Sequence, residues 1–278
     1  MIKFKTAAKK LYPYAYNILG NRTDCEDVIQ EVIMNFAEKD TGSIVYQDAY
    51  LIKAVINRSI NLKKKNDREQ RKKVTLPEPI VTNYAETRIE MEEILNYSML
   101  VLLDTLNTKE RAVFLLKEIF DYEHEEVASL LSVSTENSRQ LLTRAKKKLK
   151  LRKPVVAAPQ AKDIKHLEQY IQAIRLRDIP ALEKMLSQEV QVMADGGSKM
   201  TVVAELTSGI EDTIKLVTYL FEHYQKEFQI KIEEINHQPA LLFYQNTTLI
   251  NCQIFEFNEN GEIVNIFSVV DPDKLTHI

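Results

Sequence analysis

"LNTKERAVFLLKEIFDYEHEEVASLLSVSTENSRQLLTRAKKKLK", residues 106–150, decides how the chain is read. Glu125, Val127, Ala128, Leu130 and Leu131 fit the first helix of a helix-turn-helix, and the small Ala128 lets the partner helix approach closely. "SVS" (132–134) supplies the turn, and Thr135 to Lys148 the second helix. The outward side of that helix carries Thr135, Glu136, Arg139, Gln140, Thr143, Arg144 and Lys147, side chains able to reach base edges and phosphates in a major groove. Leu141, Leu142 and Leu149 supply the buried side. Ser132 stands where such turns ordinarily use glycine with positive φ.

Charge agrees with this reading. The 278 residues carry a net charge of −3, but residues 1–150 hold an excess of three basic groups and residues 151–278 an excess of six acidic ones. "RSINLKKKNDREQRKK" (58–73) and "RQLLTRAKKKLKLRK" (139–153) each bunch eight Lys and Arg at the end of a helical segment, which suits a polyanionic partner.

Upstream, "TDCEDVIQEVIMNFAEK" (23–39) places Val28, Ile29, Val32, Ile33 and Phe36 at helical spacing, with Thr23 or Asp24 as the expected N-cap. "QDAYLIKAVINRSINLKKK" (47–65) repeats the pattern and ends basic. Pro77 and Pro79 in "VTLPEPIVTNYAE" (74–86) forbid a helix and mark a linker. Helical patterning resumes from 87, breaks near Asn107 and at 132–134, and stops at a second linker, "KPVVAAPQAK" (153–162). Two helices then lead into alternating segments, with "NENG" (258–261) as a hairpin turn. In "LINCQIFEFNENGEIVNIFSVV" (249–270), Ile250, Cys252 and Ile254 alternate with polar neighbours, whereas Phe255 and Phe257 take the opposite phase.

Composition is that of a soluble globular chain, with 45% hydrophobic and 28% charged residues. No apolar run nears the ~18–20 residues of a membrane helix, and the first residues lack a signal-peptide core, so the expected location is the cytoplasm. Cys25 and Cys252 stand far apart without metal-ligand spacing, so neither a metal site nor a disulfide framework is expected.

The stretch 106–150 resembles region 4 of bacterial sigma factors of the extracytoplasmic-function type, and "DCEDVIQEVIMNF" with "AYLIKAVINRSINLKKK" resembles region 2 of the same family, in the same order. The resemblance implies that region 2 docks on core RNA polymerase and melts the promoter −10 element while region 4 reads the −35 element. It assigns Asp27, Gln30 and Glu31 to the polymerase surface. Asn57 and Arg58, with Lys63 and Lys64, go to the −10 DNA, and "KDTGSIVYQD" (39–48) to capture of a flipped base.

The remainder is similar to the SnoaL-like domain fused to one subgroup of these factors. Three short motifs carry the likeness: Leu76-Pro77-Glu78-Pro79 after Thr75, Asp195-Gly196-Gly197-Ser198-Lys199, and Asp271-Pro272-Asp273-Lys274-Leu275. Three positions depart from the subgroup pattern. Thr75 replaces a tryptophan, which predicts weaker or different docking of the linker; Ser198 replaces a glycine; Asp271 replaces an asparagine. "DGGSK" lacks the spacing of a phosphate-binding loop, leaving a plain glycine turn or a turn that also touches the sigma modules. In the second case Asp195 and Lys199, like Asp273 and Lys274, would be interface charges.

The expected architecture is therefore multidomain: two all-α modules, the second a helix-turn-helix, and an α+β SnoaL-like cone. The expected limits are 1–73 and 87–152 for the modules, 74–86 and 153–162 for the linkers, and 163–278 for the cone. The expected function is promoter-specific transcription initiation with core RNA polymerase, regulated in cis by the cone, with no catalysis, cofactor or membrane. A small-molecule ligand in the cone is left open. Two alternatives remain: a ligand-sensing helix-turn-helix regulator that binds DNA unaided, and an enzyme using a base such as Asp195, His223 or His237.

Overall fold

The computed structural model describes residues 2–38, 47–69, 75–82, 93–149, 161–197 and 206–278. Contacts divide the chain into two compact units. The first comprises Met1–Lys73, Glu86–Leu95 and Met99–Val156; the second comprises Val74–Ala85, Asn96–Ser98 and Ala157–Ile278. Both helical modules thus fall in one unit, and the Pro-Glu-Pro linker is counted with the C-terminal unit. Most of the 39–48 loop and of the second linker, and Lys199, lie outside the described residues.

In the first unit, α1 (Ile2–Leu19), α2 (Arg22–Ala37) and α3 (Gln47–Glu69) pack on one another. The stripe read from sequence is the buried face of α2: Cys25, Val28, Ile29 and Val32 are buried, while Ile33 and Phe36 are half-buried. The N-cap is not Thr23 or Asp24 but Asn21, whose side chain accepts from Asp24 N at 2.8 Å. Asn21 has extended backbone, whereas Thr23 and Asp24 already sit inside the first turn.

The chain continues through α4 (Tyr97–Leu103) to α5 (Thr108–Glu118), α6 (His124–Leu131) and α7 (Thr135–Lys148). The break at Asn107 is a reciprocal cap: Asn107 Oδ1 accepts from Lys109 N and Glu110 N, and Asn107 N donates to the Glu110 carboxylate. Helix α5 is buried along most of its length, Arg111 included. The Arg111 guanidinium donates to Asn17 O at 2.9 Å and pairs with Asp104, so the buried cation is compensated.

The second unit is built on one six-stranded sheet, order β2-β1-β6-β5-β4-β3. The strands are β1 (Leu186–Asp195), β2 (Thr207–Ser208), β3 (Gln229–Ile235), β4 (Gln238–Gln245), β5 (Thr248–Phe257) and β6 (Ile263–Val269). Strands β1 and β6 run parallel, and all other neighbours are antiparallel. One sheet face buries Leu241, Phe243, Phe255 and Ile266 against α8 (Ala161–Leu176), α9 (Ile179–Met185) and α10 (Ile210–Leu220). A π-helical turn, Phe221–Gln225, continues α10, and a short helix α11 (Pro272–Leu275) follows β6.

The phase change in β5 has two causes. Asn251 to Phe255 are all buried, so both faces of this interior strand are covered there and neither requires a polar residue at 255. A register shift then falls between Glu256 and Phe257, which re-aims the side chains. "NENG" forms the β5–β6 turn, with Gly261 at φ 82° and Asn258 Oδ1 accepting from Asn260 N and Glu262 N.

Candidate nucleic-acid interface and linker clasp

The helix-turn-helix follows from three local features. Glu126 accepts from Glu123 N at 2.7 Å and starts α6; Ser132 takes φ 53°, ψ 50° at its end; Ser134 Oγ accepts from Asn137 N and starts α7. The left-handed residue expected of the turn is present, and a serine bears its steric strain. Ala128 and Val127 on α6 face Ser138, Leu141, Leu142 and Ala145 on α7, all buried. On the other side of α7, Glu136, Arg139, Gln140, Thr143, Arg144 and Lys147 are exposed and Thr135 is half-buried.

This surface is less basic than the sequence count suggests. Lys146 pairs with Glu118 at 2.8 Å, and Lys148 pairs at 2.6 Å with Glu110, which is only 3% exposed. Lys148 therefore helps hold the cap of α5, a role invisible in a local run of lysines. Arg139 stands 3.6 Å from Glu125, both well exposed, a pair easily given up for a phosphate or a base.

On α2, Asp27, Gln30 and Glu31 are exposed. Glu31 holds Arg58 at 2.8 Å. Asn57 donates to Leu130 O at 3.1 Å, and Lys53 to Ser129 O at 2.8 Å. Those two carbonyls are at the C-terminal end of α6, where a cation and an amide donor meet the negative end of the helix dipole. Lys63 reaches Asp104 and Asp67 at 3.2 and 3.3 Å, and Lys64 is half-buried. Asn57, Arg58 and Lys63 are thus engaged inside the first unit.

In the second unit, residues 75–82 lie along the cone fold as a strap. Asp195, 4% exposed, accepts from Leu76 N at 2.8 Å and from Lys274 Nζ at 2.6 Å through Oδ2, and from Gly197 N at 2.8 Å through Oδ1. Lys274 also donates to Leu76 O. Tyr97 donates to Pro77 O at 2.6 Å and packs its ring on Phe267. Ile80 exchanges two bonds with Asn236, and Thr82 bonds Glu234 at two points, by N to O and by Oγ1 to the carboxylate. Leu76, Pro77, Glu78 and Pro79 are buried.

The structure thereby brings Leu76, Asp195, Gly197 and Lys274 together with Asp271. Gly197 has φ +62°, and a Cβ there would stand 2.2 Å from the Asp271 carboxylate. Asp271 caps α11 by accepting from Asp273 N, a task that needs an acceptor oxygen and is met by Asp as by Asn. Asp195 and Lys274 form a pair around the strap, bonded to both backbone groups of Leu76. Pro272 and Asp273 are exposed and Leu275 is buried.

The three candidate bases do not converge. Asp195 belongs to the clasp, His223 is exposed and bonds Tyr219 O at 2.9 Å, and His237 sits in the β3–β4 turn 3.4 Å from Glu234. Among the described residues no His/Cys/Asp/Glu cluster could hold a metal ion, and no helix is long and apolar enough to cross a membrane.

The family description "Sigma-70, region 4" matches residues 98–149, the segment that holds the helix-turn-helix. The chain is 23% identical over 303 residues to the ECF RNA polymerase sigma factor SigJ of Mycobacterium tuberculosis (strain ATCC 25618 / H37Rv), covering 99% of this chain and 92% of that protein. It is 22% identical over 277 residues to a probable ECF RNA polymerase sigma factor, SigI, of M. tuberculosis (strain CDC 1551 / Oshkosh), covering 95% and 91%. The crystal structure of the M. tuberculosis extracytoplasmic function sigma factor SigJ superposes with a TM-score of 0.79 at 19% identity, over 99% of this chain and 98% of that one, so both helical modules and the α+β domain share its fold.

Proposed function

From the premise that the chain belongs to the extracytoplasmic-function sigma factors and carries a fused SnoaL-like domain, we propose that this domain restrains the factor in cis by gripping its inter-region linker. As a sigma factor the chain directs core RNA polymerase to promoters for transcription initiation. Within that function, Asp27, Gln30 and Glu31 meet the polymerase. Asn57, Arg58, Lys63 and Lys64 meet the −10 region, and Thr135, Glu136, Arg139, Gln140, Thr143, Arg144 and Lys147 meet the −35 element. Lys199 belongs with the regulatory loop. Sigma activity needs no catalytic group, and the cone's role is regulatory.

The observation that carries the restraint reading is the hold of Asp195 and Lys274 on both backbone groups of Leu76, in the segment that joins region 2 to region 4. A gripped linker limits how far the two regions can separate to span a promoter. The internal bonds of Asn57, Arg58 and Lys63 support the same reading, since promoter engagement has to exchange them for DNA contacts. The test is in vitro transcription from a mapped promoter with limiting sigma and core polymerase. Lys274→Met is expected to raise transcript yield several-fold over the unsubstituted chain. Lower yield from a folded Lys274→Met protein would make the clasp a working part and refute restraint. DNA footprinting by the protein without polymerase would instead support a conventional regulator.

A further inference from the structure

The helical side of the C-terminal unit exposes an apolar patch. Leu176, Tyr224, Tyr219 and Ile179 are 78%, 61%, 50% and 38% exposed. They belong to one surface: Arg177, next to Leu176, pairs with Glu222, and Ile179 lines the same groove as Thr218, the neighbour of Tyr219.

Two backbone features build this surface. Helix α8 ends in a Schellman turn, with Asp178 N donating to Ala173 O at 2.9 Å and Arg177 at φ 53°. Glycine takes that left-handed position freely, whereas arginine bears strain there. Its pair with Glu222 is largely exposed and returns little to the folded chain, so stability alone does not account for the residue. On the other side, the π-helical turn Phe221–Gln225 brings positions five apart together. Tyr219 and Tyr224 meet edge to face at 6.2 Å, and His223 stacks on Tyr219 at 4.2 Å. Rings that already hold one another in place lose little freedom when a partner covers them.

Size and charge select the occupant. The four apolar and aromatic side chains leave roughly 400 Å² open, which is the scale of a protein–protein site. A standard interface takes about 800 Å² from each partner and is a little over half apolar, so the patch has the core of one. Around it Arg175, Arg177 and Lys226 are matched by Asp178, Glu222 and Glu227. Residues 151–278 as a whole carry an excess of six acidic groups, which repels a polyanion, and a strongly basic partner gains nothing at a balanced patch. A surface balanced in sign and supplied with Tyr and Arg tolerates its own copy across a two-fold axis.

We propose that the patch around Leu176, Tyr219 and Tyr224 is an isologous interface through which two copies of this chain form a reversible dimer. The test is sedimentation velocity on the full chain over rising protein concentration, without polymerase or DNA, so its outcome is independent of the transcription reading. A monomer–dimer equilibrium with a micromolar dissociation constant is expected. It should change less than about threefold between about 0.1 and 0.5 M salt, because no net charge faces itself. Leu176→Ser and Tyr224→Ala should each weaken it about 30-fold or more, since every dimer loses two copies of the side chain. Both residues are exposed, so the thermal midpoints of these variants stay level. Ile164→Ser, which removes an exposed apolar side chain at the other end of α8, leaves the equilibrium unchanged. The proposal is overturned by a monomer at every concentration up to about 100 µM, or by a dimer that persists in both patch variants. Equal weakening in Ile164→Ser overturns it too, as that would show unspecific apolar association. So does a strictly monomeric chain whose patch variants lose core polymerase, which would give the patch to polymerase instead.

Discussion

Replacing Lys274 by methionine isolates the clasp. The ammonium lies 2.6 Å from Asp195, and the two side chains are only 16% and 4% exposed. Removing one partner of a buried pair costs about 3–5 kcal/mol, because the other charge stays behind uncompensated. The lower end applies here: the carboxylate keeps two amide donors, Leu76 N and Gly197 N, both at 2.8 Å. That penalty falls on the docked strap alone, since an undocked Asp195 is reached by water. About 3 kcal/mol shifts the local opening equilibrium by roughly 100-fold. Hydrogen exchange at the Leu76 amide reads this directly and should accelerate by that factor. Thr82 should change less, held as it is by Glu234. Adding Asp195→Asn should recover part of the loss by removing the stranded charge. Exchange at Leu76 within threefold of the parent, in a folded Lys274→Met protein, would refute this reasoning. So would equal acceleration at amides throughout the sheet, which would mean global destabilisation instead of strap release.

Gly197→Ala forces a Cβ into the Asp271 carboxylate and a side chain into positive φ, and thermal unfolding should show the midpoint falling by several degrees. Ser132→Gly relieves the left-handed turn at φ 53° and should raise stability by about 0.5–1 kcal/mol in urea titration. Burial pushes the Cys252 thiol far above the ordinary thiol range, so iodoacetamide at mildly alkaline pH should label Cys252 only after denaturation. The folded state keeps a proton there that the unfolded chain releases above about pH 8.5, so this group leaves stability unchanged below that pH and lowers it above, as measured by denaturant midpoint against pH. Arg139→Ala should cut transcription from a promoter with an intact −35 element about tenfold while leaving polymerase binding unchanged, by run-off assay and pull-down.

What could be read from sequence was whatever repeats locally. The apolar spacing of Val28, Ile29 and Val32, the break at Asn107 and the two helices around 132–134 each depend on residues within a turn or two. The span of α7, Thr135–Lys148, follows from a cap, a stripe and a basic end. Long-range pairing was hidden. Lys148 with Glu110 and Lys63 with Asp104 join positions some forty residues apart, and each looks in sequence like one more charge on a solvated face. That is why the basic runs overstate the free positive surface.

The missing tryptophan shows the same limit in another form. Thr75 suggested a weaker or different dock, on the premise that a side chain anchors the linker. Thr75 is exposed, and the contacts that hold the strap run largely to its main chain: Leu76 N and O, Pro77 O, Ile80 N and O, and Thr82 N. Backbone groups are the same whatever residue carries them, so these contacts at 76, 77, 80 and 82 do not depend on a tryptophan at 75. The prolines contribute differently. Pro77 and Pro79 fix φ and lack an N–H, which lowers the entropy lost on laying the strap down and leaves two fewer donors to satisfy in a buried segment. An extended, donor-poor strap read through its carbonyls therefore needs acceptors and donors placed on the cone, and Asp195, Lys274, Tyr97 and Asn236 supply them. For these main-chain contacts, the identities that matter lie on the other side of the clasp.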